Sequence, residues 1–177
     1  MVMALGGMLL AVLSATPEGN QLTTSILGIG LGAPRRDVGA PSPEHNVICF
    51  STENEPGNII KLTIRAKDIS EKIIGIGFTM LFLPTAVEFK KFQPGDFFER
   101  GGKPLYLVRD APGLGVVVGT TLTRNDNFQS GSGTLISLYF HILRPQNPVF
   151  AFSRTVASTL QKGARKNLRT VEWLACN

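Results

Sequence analysis

The chain is poor in the residues that most often carry chemistry. It has two histidines and two cysteines in 177 residues. His45 and His141 lie far apart, and no His/Cys/carboxylate group has the spacing of a zinc site. Nothing in the sequence suggests a serine or cysteine held beside a histidine as a nucleophilic triad requires. These shortages point to a protein that is not an enzyme and holds no metal cofactor of the zinc type. Trp (1) and Tyr (2) are also scarce beside Phe (11). Phe suits buried strand positions, whereas a sugar-stacking platform needs exposed rings, usually with polar tips. Long apolar runs are missing too. Met1 to Ala15 is apolar and uncharged, but it falls short of the roughly 20 residues that span a bilayer. It resembles the apolar part of a secretory signal peptide, with Ser14-Ala15-Thr16 as the small-residue region, although no Lys or Arg precedes it. No Cys follows it to take a lipid. Export is therefore expected, to an extracellular, periplasmic or cell-surface location, with membrane contact only through this segment if it stays uncleaved.

What is present is the composition of a folded β protein. Hydrophobic residues make up 43% and charged residues 18%, too apolar for a disordered chain. Gly (19) and Pro (11) are scattered, as in many short strands joined by turns. Three regions are expected: residues 1–20, apolar and signal-like; residues 21–45, a Gly/Pro-rich linker with Pro34, Pro41 and Pro43; and residues 46–177, one compact domain. The net charge is +5. Such a charge suits either a polyanionic partner or simply a basic surface. The only basic cluster is Lys162, Arg165, Lys166 and Arg169, expected in a solvated loop between the last two strands and a candidate contact for an acidic polymer. Nucleic acid is not expected as a partner.

From Val47 onward the pattern mostly has period two. Val47–Phe50 reads as a short strand, residues 53–58 as a turn, and Ile59–Arg65 as a strand with Ile60, Leu62 and Ile64 on one face. Residues 68–72 read as a polar loop. In Ile74–Phe82 the apolar face is Ile74, Ile76, Phe78, Met80 and Phe82. Gly75, Gly77 and Thr79 lie opposite, joined by Leu81 and Leu83, so the second face is not plainly wet. This strand is expected at the centre of its sheet, with Phe78 and Phe82 beside Leu138 and Phe140. Further strands are expected at Val87–Phe92, Pro104–Arg109, Leu114–Leu122, Ile136–Ile142, Val149–Phe152 and Val171–Cys176. Residues 123–133 read as a polar loop, and Val156–Leu168 as a short helix or a long loop. Gly131-Ser132-Gly133-Thr134 lacks the Lys and following helix of a phosphate loop and reads as a turn into a strand. Two clusters could offer oxygens to Ca²⁺: Asn125, Asp126 and Asn127, and Glu53, Asn54 and Glu55. Neither has the length or carboxylate count of a dedicated calcium loop, so polar turns are expected there.

Three stretches together carry a family resemblance. Gly77-Phe78-Thr79-Met80-Leu81-Phe82-Leu83-Pro84-Thr85-Ala86-Val87-Glu88-Phe89 is similar to the cohesin pattern of a strand running into Tyr-Asp-Pro and then a Val/Leu-x-Phe strand, with Leu83 where the pattern has Asp. Gln93-Pro94-Gly95-Asp96-Phe97 resembles the turn that follows. Gly131 to Phe140, GSGTLISLYF, resembles the Gly-x-Gly-x-Leu strand start of the same family. The resemblance implies an all-β, two-sheet sandwich of jelly-roll topology, related to bacterial carbohydrate-binding modules. It implies a protein-interaction or surface-assembly module, whose partner is a dockerin-like or cell-envelope protein. A carbohydrate-binding module, or an accessory domain of a polysaccharide-acting system, is the alternative. In such a jelly roll the first and last strands are neighbours. Cys49 and Cys176 are the only cysteines, and an exported protein meets an oxidising compartment. A Cys49–Cys176 disulfide is the expectation that follows, with two buried free thiols as the competing reading.

Overall fold

The structure is a computed structural model, and it describes residues 46–123, 127–144 and 147–176. Among the described residues ten strands alternate with turns: β1 Val47–Glu55, β2 Ile59–Ile73, β3 Gly75–Leu81, β4 Val87–Pro94, β5 Leu105–Ala111, β6 Gly115–Thr121, β7 Gln129–Ile142, β8 Ala151–Gln161, β9 Ala164–Leu168 and β10 Glu172–Ala175. A single helical turn, α1 Asp96–Glu99, follows β4. The strands form two five-stranded sheets, ordered β10-β1-β2-β7-β4 and β5-β6-β3-β8-β9. All pairings are antiparallel except β1 with β10, which is parallel. This is an all-β two-sheet sandwich, as the resemblance implies.

The core lies between the sheets because the apolar residues of each strand recur every second position. From the first sheet come Ile60, Leu62, Ile64, Ile136, Leu138 and Phe140; from the second, Ile76, Phe78, Met80, Val116 and Val118. Phe140 lies 5.1 Å from Phe82, 5.7 Å from Phe89 and 5.0 Å from Phe150, measured between ring centroids. Most of these rings meet edge-on or tilted, the arrangement aromatic quadrupoles favour. β3 is the middle strand of its sheet, as expected. Only part of its expected neighbourhood holds. Phe82 does meet Phe140, but the rings that Phe78 meets are Phe152 at 5.3 Å and Trp173 at 5.8 Å. Phe97 and Phe98, on α1, are fully buried and close one end of the core.

Several expected loops are strand. Residues 68–72 are the far end of β2, and residues 129–133 are the start of β7. The two pair through a series of register shifts, down to Ile69 with Gly131 and Ile73 with Gln129. Such bulges disturb the apolar alternation, which is why this stretch reads as loop. Polar side chains stabilise it. Asp68 accepts a hydrogen bond from the Ser132 hydroxyl (3.0 Å) while its own N–H donates to Ser132 Oγ (2.9 Å), and Asn46 Oδ1 accepts from Ser70 N–H (2.8 Å) and Ser70 Oγ (2.9 Å). β1 likewise runs on to Glu55, leaving a turn only at residues 56–58.

The larger correction is at Val156–Leu168, which is neither helix nor long loop. It is the hairpin of β8 and β9, with Gln161 paired to Ala164 across Lys162-Gly163. Lys162 (φ 51°) and Gly163 (φ 79°) both lie in the left-handed region. A two-residue turn with two positive φ values matches the twist of the flanking strands. Asn-Gly or Asp-Gly usually marks such a turn, and Lys-Gly does not stand out in the sequence.

Candidate docking face

The disulfide joins the two ends of the domain. Cys49 in β1 and Cys176 after β10 are bonded, with Cα atoms 5.0 Å apart. Cys176 N–H also donates to Phe50 O (2.7 Å), continuing the parallel ladder past the last strand residue. β10 has only four residues, so the disulfide and this hydrogen bond fix an edge that would otherwise fray.

Among the described residues the other sequence candidates do not converge on a chemical site. Among the described residues no group of three or more His, Cys, Asp or Glu side chains is placed to hold a metal ion. His45, Asn125 and Asp126 lie outside the described residues. Glu53, Asn54 and Glu55 are in β1, where alternation sends Asn54 to the face opposite the two glutamates, and Glu55 pairs with Lys61 at 3.7 Å. His141 stands in register with Glu88 on β4. The Glu88 carboxyl is held below its ordinary range, chiefly by the hydrogen bond from Lys90 at 2.7 Å and its charge. Gly131 to Thr134 are ladder residues of β7, and Thr134 N–H donates to Asp96 Oδ1 (2.8 Å). The basic cluster is on the β8–β9 hairpin and beyond it. Alternation along β9 separates Arg165 from Lys166, and Arg165 reaches the neighbouring strands, donating to Thr121 Oγ1 at 3.0 Å.

The two outer faces of the sandwich differ sharply. On the first sheet the outward residues are polar: Glu53 and Lys61 in register with each other and with Tyr139 and Lys91, and Thr63 with Ser137 and Gln93. Tyr139 is itself covered, its ring beneath Lys91 Nζ at 4.8 Å and its hydroxyl donating to Gln93 Oε1 at 2.9 Å. On the second sheet the outward face is apolar along β5 and β6, with Thr79, Thr121, Ser153 and Ser158 on the same side toward β3 and β8. Leu105 (63%), Leu107 (64%), Leu114 (50%) and Leu81 (41%) expose large parts of their side chains, and Val117 lies among them, half-buried. Two facing glycines lie near the middle of this face. Gly77 of β3 is in register with Gly119 of β6, and Gly75 lies two residues along. A Cβ on Gly119 would find only Leu107 Cβ at 3.8 Å, ordinary contact, whereas one on Gly77 would press on Val156 Cγ1 at 3.1 Å, so the shallow notch lies over Gly119, between Leu107 and Val156. Alongside is a depression of about 510 Å³ lined by Leu107, Arg109, Pro112, Leu114 and Val117. Isolated exposed leucines need no explanation, but a contiguous apolar sheet face does.

Tyr106 points the other way, toward Phe92 (6.2 Å) at the seam between the sheets. Its hydroxyl is buried without a hydrogen-bond partner, as is that of Thr120. The backbone donor in its neighbourhood, Gly95 N–H, donates to Leu135 O at 3.2 Å instead. Burial, with a further push from the Glu99 charge, raises the Tyr106 pKa to about 12. Trp173 packs against Phe152 (5.2 Å) and Phe78. The three polar-tipped rings are thus engaged in three separate places.

No family sequence model matches the chain, and no curated protein matches it in sequence. Solved structures do match. The seventh ScaB type I cohesin from Pseudobacteroides cellulosolvens is 14% identical, with a TM-score of 0.56 over 74% of this chain and 92% of that one. The third ScaC cohesin of Acetivibrio cellulolyticus, solved in complex with the ScaB dockerin, is 12% identical, with a TM-score of 0.59 over 72% of this chain and 93% of that one. A cohesin module from a family 33 glycoside hydrolase of Clostridium perfringens is 7% identical, with a TM-score of 0.51 over 73% and 98%. At such identities the likeness is one of fold, and it spans nearly the whole of each of these modules: the domain is a cohesin-like β-sandwich.

Proposed function

We propose that the chain is an exported protein-docking module, and that the outer face of the β5-β6-β3-β8-β9 sheet receives a folded partner of the dockerin type. The observation that carries this reading is the contrast between the two outer faces, one polar and charged, the other lined with exposed leucines around facing glycines. An apolar sheet surface with a shallow notch suits shape-complementary burial against another protein. One of the similar modules was solved with a dockerin bound, which supports the partner class. Export and display at the cell surface are supported by the signal-like N-terminal segment and by the disulfide, which persists in oxidising compartments. The carbohydrate-binding reading has less support, because Tyr106, Tyr139 and Trp173 are packed against other side chains instead of forming an exposed coplanar platform.

The test is a pair of surface variants assayed against a panel of dockerin modules and the secreted proteins of the source cell. Leu107→Asp should abolish binding, and Glu53→Ala with Lys61→Ala on the opposite face should leave it intact. The reverse outcome would move the docking surface to the other sheet.

A further inference from the structure

The charges around the apolar face all have one sign. Arg109 follows Leu107 by alternation on β5 and borders the depression with Leu114 and Val117. Arg154 sits at the β3–β8 register shift and borders a second depression with Thr79, Leu81 and Leu114. Arg165 borders a third, with Leu105, Leu107, Gly119 and Thr121. Among the described residues none of these arginines has a carboxylate within ion-pair distance. No described carboxylate shares the face. Asp110, adjacent to Arg109, alternates to the opposite side with Val116 and lines a recess with Phe82 and Glu88. The position of Arg154 is held against a backbone preference: its φ is 50°, a left-handed conformation that disfavours any residue with a Cβ.

We propose that the partner's docking surface is acidic: a protein surface whose carboxylates face Arg109, Arg154 and Arg165 around an apolar side chain seated in the notch over Gly119. The inference rests on the docking-face reading and adds the chemistry of the partner. Three guanidiniums with no carboxylate partner among the described residues, at the rim of an apolar patch, are complementary to carboxylates, which they bind through paired N–H donors. They also act against self-association, because a second copy would bring the same positive rim against this one. A neutral apolar partner would gain nothing from them.

The experiment uses the full chain as immobilised bait for the secreted and surface proteins of the source cell, followed by titration with the recombinant captured protein. Four baits are compared: wild type, the triple variant Arg109→Glu/Arg154→Glu/Arg165→Glu, Gly119→Leu to fill the notch, and Glu53→Lys on the opposite face. All four must show the same thermal unfolding as wild type to within a few degrees. The triple variant should bind about a hundredfold more weakly, since like charges then face each other across the interface. Changing the facing carboxylates of the captured protein to Arg should restore binding to the triple variant, and wild-type binding should weaken with added salt. If Gly119→Leu abolishes binding and the triple variant does not, the docking face stands and the acidic partner is overturned. Should both variants bind like wild type, the docking face itself falls. Capture of a sulfated polysaccharide in place of a protein, or concentration-dependent dimerisation of the chain, overturns the proposal as well.

Discussion

Cys49 and Cys176 are 127 residues apart in sequence and 5.0 Å apart between Cα atoms. The bond closes nearly the whole sandwich into one loop and pins the short parallel strand β10 to β1. In the chain-entropy account, a loop of that length stabilises the fold by about 5 kcal/mol. The double variant Cys49→Ala/Cys176→Ala should lose a large part of this in urea unfolding. The unfolded, unreduced wild type should show no titratable thiol. Two free thiols would remove the bond from the account of stability.

Phe78→Ala should cost about 3–5 kcal/mol, the range for a large buried aromatic side chain. Phe78 is 2% exposed and joins β3 to rings from both other parts of its surroundings, Phe152 on β8 and Trp173 on β10. Denaturant unfolding measures it. A loss below about 1 kcal/mol would mean the cavity collapses or the face is wrong.

Arg154→Gly should leave stability unchanged or raise it by up to ~1 kcal/mol, because glycine adopts the positive φ without the Cβ clash. The same variant should weaken partner binding. Opposite signs for fold and function at one residue would identify stored backbone strain at the proposed docking face. A stability loss above about 1 kcal/mol would show that the Arg154 side chain supports the fold.

Tyr106 gives a pH signature. Its folded-state pKa is raised to about 12, above the ordinary phenol value near 10. Between these values the unfolded chain releases the proton and the folded chain keeps it, so the unfolded state binds fewer protons and stability falls as pH rises. The contribution is fully present below about pH 10 and is lost toward pH 12. Thermal melts across this range should show a decline that Tyr106→Phe reduces. Since the hydroxyl has no partner, Tyr106→Phe should be neutral or stabilising by about 1 kcal/mol at pH 7. Clear destabilisation at pH 7 would show that the hydroxyl is hydrogen-bonded in solution.

Much of this architecture is written in the local pattern. The alternation in Ile59–Arg65, Ile74–Phe82 and Ile136–Ile142 is enough for two packed sheets, because a strand with one apolar face must bury it against another layer. The outer face was half legible: Leu81 opposite the core side of β3, next to Gly75 and Gly77, already departs from a wet surface. What alternation cannot convey is which strands become neighbours. Only the fold sets Gly77 against Gly119, and brings Leu107, Val156 and the three arginines around them, from strands far apart in sequence. Bulges hid the ends of β2 and β7 for a related reason. Each inserts residues that break period two, and long-range partners such as Ser132 for Asp68 make up the lost ladder bonds. The sequence by itself determined the sandwich and its core, since burial follows from side-chain periodicity along one strand. The apolar outer face and its positive rim were decided by tertiary structure, since register and sheet order are relations between strands that no single segment contains.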